Sequence, residues 1–566
     1  FTEHVRKQME AWAERNGYNL YGDGLRVVTS LDWRVQQAAQ RSVETFGRAL
    51  QSVADVEWGR SSPRLLGRTT APYVEARNSV TPFGHFWSRR SAVVDQFIRE
   101  AAEYQRALAD GATEADALAQ LRADSEFMAD LKEEKTRLQV GFTAIDPHTG
   151  HVRAWVGSRG YRTDPYDHVA RARRQPGSTF KPFVYARALE ENWSPEDTLP
   201  DDSVEVRLTD DEIWRPTNAD GRITGEDVTL RDALAQSRNT VTARLGQEVG
   251  ARDVARLARR AGVNRSELDA VPSIALGTEE VSLLEMTSAY ATFAAAGMYR
   301  EPVTILRIED REGNVLQEFA PREKQAMAPE VAHTVVDMMR DVVDEGTGRQ
   351  LRTEFGVRAD VAGKTGTTQD GMDGWFLAIH PDLAMGAWVG FSDPRVTFRT
   401  SYWQQGGHNA LRVTGDVART LLRRGLLSPE PRFPEVPRRT NDGFLDSVGD
   451  WFAGVFDEGV SRKVLPDPTD RTPDDDWDNR RWRAERSDGE PDPLAEAIRE
   501  VERLREDAME SLDPRDRAAM ERVLNDAARQ LEREASRASR DAERALRELE
   551  REAARAARDA ARDIFR

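Results

Sequence analysis

The sequence predicts an α+β domain built on one antiparallel sheet, and three observations carry that prediction. LQVGFTAIDPHTGHVRAWVG, starting at Leu138, alternates around the turn Asp146-Pro147-His148-Thr149-Gly150 and reads as a β-hairpin. GWFLAIHPDLAMGAWVGF, residues 374–391, does the same around His380-Pro381-Asp382. The long stretch between them is mostly helical in pattern, as in VTLRDALAQSRNTVTARLGQEVG and VSLLEMTSAYATFAAAG. Strands at both ends of a helical stretch fit α+β rather than an alternating βαβ series.

Taken in order, residues 1–34 read as a leading linker segment, a helix followed by a strand in GLRVVTSLD. Residues 35–136 are helical and loop-rich, exemplified by AAEYQRALADGATEADALAQLRADSEFMADL, and read as a helical insertion. Residues 137–427 hold both hairpins and form the main domain. Residues 428–493 open with the Pro-rich SPEPRFPEVPRRTNDG and continue into an acidic stretch, so they read as a largely disordered linker. Within it, 443–458 places Phe444, Val448, Trp451, Phe452, Val455 and Phe456 on one helical face. Residues 494–566 read as a charged helical tail whose Ala-rich seam favours a solvated helix over a tight coiled coil.

Composition sets the outer bounds. The 566 residues are 39% hydrophobic, enough for at least one sizeable core. With 98 acidic against 81 basic residues the formal net charge is −17, which argues against nucleic acid or anionic lipid as main partner. Zero cysteines exclude disulfides and thiol chemistry. No apolar run is long enough to span a membrane. The eight histidines show no metal-ligand spacing such as H-E-x-x-H, so neither metal nor cofactor is expected.

Lysine is scarce: of the 81 basic residues only Lys7, Lys132, Lys135, Lys181, Lys324, Lys364 and Lys463 are lysines. Lys181 alone has a serine three residues before it, Ser178 in QPGSTFKPF. On a helix that spacing puts both side chains on one face, and Pro182 belongs in the first turn. Arg, with a pKa above about 12, cannot accept a proton, whereas a partly buried Lys can. Ser178 and Lys181 are therefore a candidate nucleophile and base, with a simple helix cap as the plain alternative. Ser237-x-Asn239 and the run Lys364-Thr365-Gly366-Thr367 each occur once, in that order, after SxxK. Gly366 would admit a substrate backbone to a strand edge, while Lys364, Thr365 and Thr367 suit a carboxylate. A turn serine remains the bland reading of Ser237. Together the three motifs are far more specific than any one of them.

With these residues the chain resembles the transpeptidase half of a bifunctional, class A penicillin-binding protein. ARRQPGSTFKPFVYARALE, WRPTNADG, VTLRDALAQSRNT, ALGTEEVSLLEMTSAYATFA and AGKTGTT carry the likeness over roughly 137–427. The resemblance implies the penicillin-binding fold, an antiparallel sheet flanked by helices on both faces. It implies Ser178 as acylated nucleophile, Lys181 as its base, Ser237 as proton relay, and Asn239 as a hold on the substrate amide and Lys181. It further implies Lys364, Thr365 and Thr367 as carboxylate binders, the Ser178 and Thr367 N–H groups as oxyanion hole, and Trp214 and Asn218 as cleft lining. Arg412 stands where the family pattern has a proline. Expected partners are peptidoglycan stem peptides ending in D-Ala-D-Ala and β-lactams, on the extracytoplasmic face. A glycosyltransferase domain and membrane anchor are expected only upstream of residue 1.

Other activities share the motifs. A D,D-carboxypeptidase differs only in using water to resolve the acyl-enzyme, and a β-lactam sensor stops at acylation. A class A β-lactamase needs a deacylating carboxylate in Glu-x-x-x-Asn, and no Glu between 240 and 364 has Asn four residues on. A Ser-His-Asp hydrolase is disfavoured because there is no G-x-S-x-G elbow.

Overall fold

In the computed structural model, which describes residues 1–207 and 213–436, the chain opens with helix α1 (Thr2–Asn16), strand β1 (Arg26–Thr29) and helix α2 (Trp33–Gly59). Asp32 caps α2 by accepting from the Arg34 N–H, which satisfies one of the free donors of the first turn. Along its length α2 buries a stripe including Val35, Ala39, Val43, Leu50, Val53 and Trp58. Short helices follow as far as Thr136.

The two predicted hairpins form. β2 (Leu138–Ile145) pairs with β3 (Val152–Val156). After helices α3 (Lys181–Glu190), α4 (Asn239–Val249), α5 (Leu283–Ala294), strand β4 (Ile305–Glu309) and helix α6 (Pro329–Asp344) come β5 (Ala362–Thr367), β6 (Asp373–His380) and β7 (Leu383–Phe391), then helix α7 (Ala410–Arg423). The five strands make one antiparallel sheet in the order β5-β6-β7-β2-β3. Its centre joins hairpins distant in sequence, with Leu138 opposite Phe391 and Ile145 opposite Ala384.

Both faces of this sheet are covered, so β6 and β7 are buried at every position. Phe376 and Ala378 face α2 and α7, while Trp375, Leu377 and Ile379 face α3 to α6. Period-2 alternation here sorts large side chains between two cores rather than between core and water. Each such side chain contributes roughly 1.5–3 kcal/mol on burial. Helix α5 comes close enough that a Cβ on Gly141 or Gly386 would press on Leu283 or Thr287.

Two sequence expectations need adjusting. The stretch read as a helical insertion, 35–136, places its long helix α2 directly on β2 and β3 within one hydrophobic core, so no break in packing marks its start. The stretch read as mostly helical also contains small strand pairs, 198–200 with 227–229, 206–207 with 213–214, and 298–300 with 323–325. Pairs of two or three residues are too short to show a period. β1 joins a separate small sheet with β4 and Val315–Glu318, onto which α1 packs through Met9 and Trp12. Of the linker 428–493 only the part to residue 436 is described. The amphipathic segment 443–458 and the tail 494–566 lie outside the described residues. Among the described residues no helix is long and apolar enough to cross a membrane.

Candidate active site

Ser178 sits in a 3-10 turn, Gly177–Phe180, that runs straight into α3 at Lys181, with Pro182 in the first helical turn. The turn is anchored on several sides. Arg174 and Val281 exchange backbone hydrogen bonds, the Thr179 hydroxyl donates to the Pro176 carbonyl at 2.8 Å, and Tyr290 donates to the Thr179 carbonyl at 2.8 Å. Gly177 has φ 54°, and a Cβ there would lie 2.5 Å from the Thr367 carbonyl oxygen, so both backbone and space demand glycine. This turn is thus wedged against the end of β5, the edge strand of the sheet.

Gly366 lies against the same turn. A Cβ at 366 would lie 2.5 Å from the Pro176 carbonyl and 2.8 Å from Thr179 Cγ2. Its missing side chain leaves room for the serine turn.

Ser237 occupies the turn after the helix Leu230–Ala235, at φ 59°. The Arg238 N–H closes this turn on the Ala233 carbonyl, as in a helix C-terminal motif that usually selects glycine. Holding a serine left-handed costs about 1–2 kcal/mol, which the surrounding contacts offset.

Here the two buried lysines meet. Lys181 Nζ donates to the Ser237 carbonyl at 2.8 Å and to Asn239 Oδ1 at 2.7 Å, and lies 3.3 Å from Ser237 Oγ. Lys364 Nζ donates to the same Ser237 Oγ at 2.9 Å. Both side chains are fully buried, and among the described residues neither amine has a carboxylate partner. Burial holds the Lys181 amine well below the usual lysine range, and the charges of Lys364 and Arg238 push the same way. Burial brings Lys364 down to about 7. A neutral amine has two N–H groups and one lone pair. Both N–H groups of Lys181 are used by its two short contacts, which leaves the lone pair as a proton acceptor. The half-buried Ser178, three residues earlier, has a hydroxyl free of hydrogen bonds to the described residues.

Asn218, expected to line the cleft, is buried behind it. Its Nδ2 donates to Asp201 Oδ1 and the Arg222 carbonyl, both at 2.8 Å, and its Oδ1 accepts from the Asn239 N–H at 2.7 Å. With its amide saturated inside the protein, Asn218 acts on Asn239 and not on a ligand. Asp201, which also accepts from the Thr240 hydroxyl and Thr224, completes this support. The Asn239 amide nitrogen in turn donates to the Thr217 carbonyl at 2.7 Å. Trp214 is half-buried against Val204, Val206 and Ala243.

On β5, the Thr365 hydroxyl lies 2.6 Å from that of Thr347, and Thr367 Oγ1 accepts from the Gly406 N–H at 3.1 Å. Thr347, in the Gly-Thr-Gly loop after α6, was not singled out by sequence. The signal was present in that loop: a Cβ on Gly346 would strike the Ala235 carbonyl. Gly277 is a second omission, since a Cβ on it would strike the Gly177 backbone beneath the serine turn. Arg412, standing where a proline was expected, is buried and donates to the His408 carbonyl, Glu354 and the Arg68 carbonyl, tying α7 to two distant segments.

The chain is similar to several known proteins. Penicillin-binding protein 1A of Neisseria meningitidis is 34% identical over 352 residues, covering 60% of this chain and 42% of that protein. Penicillin-binding protein 2D of Bacillus subtilis is 36% identical over 262 residues, covering 45% of this chain and 37% of that protein. The chain therefore spans about two fifths of the length of these relatives. In fold, it matches the crystal structure of penicillin-binding protein 1A from Haemophilus influenzae with a TM-score of 0.56 at 20% identity, over 77% of this chain and 71% of that one. PonA1 of Mycobacterium tuberculosis, in complex with penicillin V, matches with a TM-score of 0.50 at 21% identity, over 76% of this chain and 94% of that one. Residues 140–422, half of the sequence, match the penicillin binding protein transpeptidase domain, and every motif residue described above falls within them. The chain belongs to the penicillin-binding protein transpeptidase family.

Proposed function

We propose that this domain is a serine D,D-transpeptidase that cross-links peptidoglycan stem peptides, and that β-lactams acylate the same serine. The observation that carries the reading is the meeting of two uncompensated lysine amines on one serine hydroxyl, with Ser178 one turn before Lys181 and its hydroxyl free of hydrogen bonds to the described residues. Lys181 takes the Ser178 proton as Oγ attacks the carbonyl between two terminal D-alanines. The oxyanion that forms is held by the Ser178 and Thr367 N–H groups, which the contact of Gly177 with Thr367 supports. The proton then passes through the Ser237 hydroxyl to the departing nitrogen, the C–N bond breaks, and D-alanine leaves an ester on Ser178. An amine from a neighbouring stem peptide attacks that ester, the C–O bond breaks, and Ser178 regains its proton. Two successive acyl transfers conserve the bond energy, so no external energy source enters.

Lys364, with Thr365 and Thr367, holds the substrate's terminal carboxylate, and Asn239 holds its amide. No carboxylate touches Lys181, Lys364 or Ser237 among the described residues, which supports a long-lived acyl-enzyme over rapid hydrolysis. We place the domain on the extracytoplasmic face of the membrane, where such peptides are exposed.

Intact-protein mass after benzylpenicillin tests the assignment. Wild type is expected to gain one covalent adduct and Ser178→Ala none. An unmodified wild type, or an adduct undiminished in Ser178→Ala, would overturn it.

A further inference from the structure

Arginines in this chain are commonly paired with acids, but a group around Trp58 is not. A cavity of about 390 Å³ is lined by Trp58, Arg89, Arg90, Arg399, His85 and Gln404, together with Pro63, Thr397 and Phe398, and no acidic residue lines it. Arg89 and Arg90 are exposed, and their guanidinium groups have no hydrogen bond or ion pair to a described residue. The Arg90 guanidinium lies 4.8 Å from the Trp58 ring and 5.5 Å from that of Phe86, and Arg399 lies 5.1 Å from Trp58. Such contacts hold a planar cation without neutralising it. Arg399 is pinned further by donating to the carbonyls of Glu57, at 3.0 Å, and of Arg60 and Ser61.

The acid Glu57 is already engaged. Glu57 accepts from the Arg399 and Thr400 N–H groups and from the Thr400 hydroxyl, and lies behind the cavity. Desolvation, and after it the charges of Arg399 and Arg89, hold the pKa of His85 below the ordinary value. The cavity is therefore a local positive field on a chain of net charge −17, suited to gathering oxyanions that the rest of the surface repels.

Its position joins it to the cleft. Gln404, in its wall, packs on Gly371 and donates to the Phe398 carbonyl at 2.8 Å. Two residues on, Gly406 bonds the Thr367 hydroxyl at the end of β5. One segment, 397–406, thus forms both the wall of the cavity and the support of the carboxylate-binding strand.

We propose that this cavity is an exosite for peptidoglycan, binding the free carboxylates of a stem peptide other than the one being acylated through Arg89, Arg90 and Arg399. This rests on the transpeptidase reading only for the identity of the polymer. The test uses the full chain and the variant R89Q/R90Q, both positions being exposed and clear of the catalytic residues. Binding to isolated peptidoglycan is measured by cosedimentation, with benzylpenicillin acylation measured in parallel.

The variant is expected to bind about tenfold more weakly with acylation unchanged, and amidating the polymer's carboxylates is expected to bring wild type to the variant's level. Equal binding by the two proteins would overturn the exosite while leaving the active-site reading intact. Wild-type binding that survives amidation but is lost when phosphate-bearing polymers are stripped would overturn the choice of ligand. Failure of wild type to acylate would instead sink the transpeptidase reading.

Discussion

Arg231 and Lys364 are both buried cations, and the protein treats them in opposite ways. Arg231, on the helix that ends at the Ser237 turn, meets Glu196 at 3.1 Å, Asp337 at 2.9 Å and Asp341 at 2.8 Å. Burial pulls its pKa down, but those three carboxylates outweigh burial and raise it above the ordinary arginine value. Among the described residues Lys364 meets only a hydroxyl and a carbonyl, and burial brings it to about 7. Where charge must be permanent the chain supplies arginine and acids. At Ser237 it supplies two lysines instead, and among the described residues it places no acid on either. Position links the two, because the Arg231 pairs clamp the helix leading to Ser237 onto α6, whose C-terminal end leads to Thr347.

The largest effect expected from breaking this contrast is at Lys181. Lys181→Arg puts a permanent charge where the base must be neutral and removes the proton acceptor, so the rate of benzylpenicillin acylation is expected to fall by about 10³-fold. In wild type that rate is expected to rise with pH as the Lys181 amine loses its proton and becomes a base. Above about 7, Lys364 deprotonates in turn and its grip on a carboxylate weakens. A variant acylating within about tenfold of wild type would show that Lys181 is not the base.

Smaller effects of opposite sign are expected from removing each cation. Arg231→Met takes a shared cation away from Glu196, Asp337 and Asp341, although Asp337 keeps Arg340, and is expected to cost up to about 3 kcal/mol, read as a lowered Tm. Lys364→Met is expected to raise Tm while slowing acylation. The folded pKa of Lys364 is lowered from 10.5 to about 7, so between those values the unfolded chain binds the extra proton. The burial penalty is full below about 7 and vanishes above the unfolded value. The gain in Tm should therefore be larger at about pH 6 than at about pH 10. A Tm that falls in Lys364→Met at both would contradict the contrast.

Which parts of this were legible in the sequence follows from the range of the forces involved. The hairpins at 138–156 and 373–391 announce themselves because a two-residue period and a Pro turn are local properties. Lys181 stands out because a chain this rich in arginine uses so few lysines. Ser237 was ambiguous because its left-handed turn is set by the fold around it, and nothing adjacent in sequence marks it. Asn218 was placed in the cleft by resemblance, and only its partners Asp201 and Asn239 show it to be buried support. That Gly366 packs on the serine turn is not legible in the sequence, because the turn lies far away along the chain. Thr347 and Gly277 escaped for the same reason, since each matters through a contact more than a hundred residues away in one case and a backbone approach in the other.

The scarcity of lysine also makes the central claim directly measurable. With seven lysines in the chain, an NMR titration of the lysine side chains gives few signals, and Lys181→Arg and Lys364→Arg assign the two that matter. The Lys364 signal is expected to titrate at about 7 and the Lys181 signal well below the usual lysine range. Both signals titrating above about 9 would mean two charged ammonium groups at Ser237 and no base for Ser178, contradicting the account.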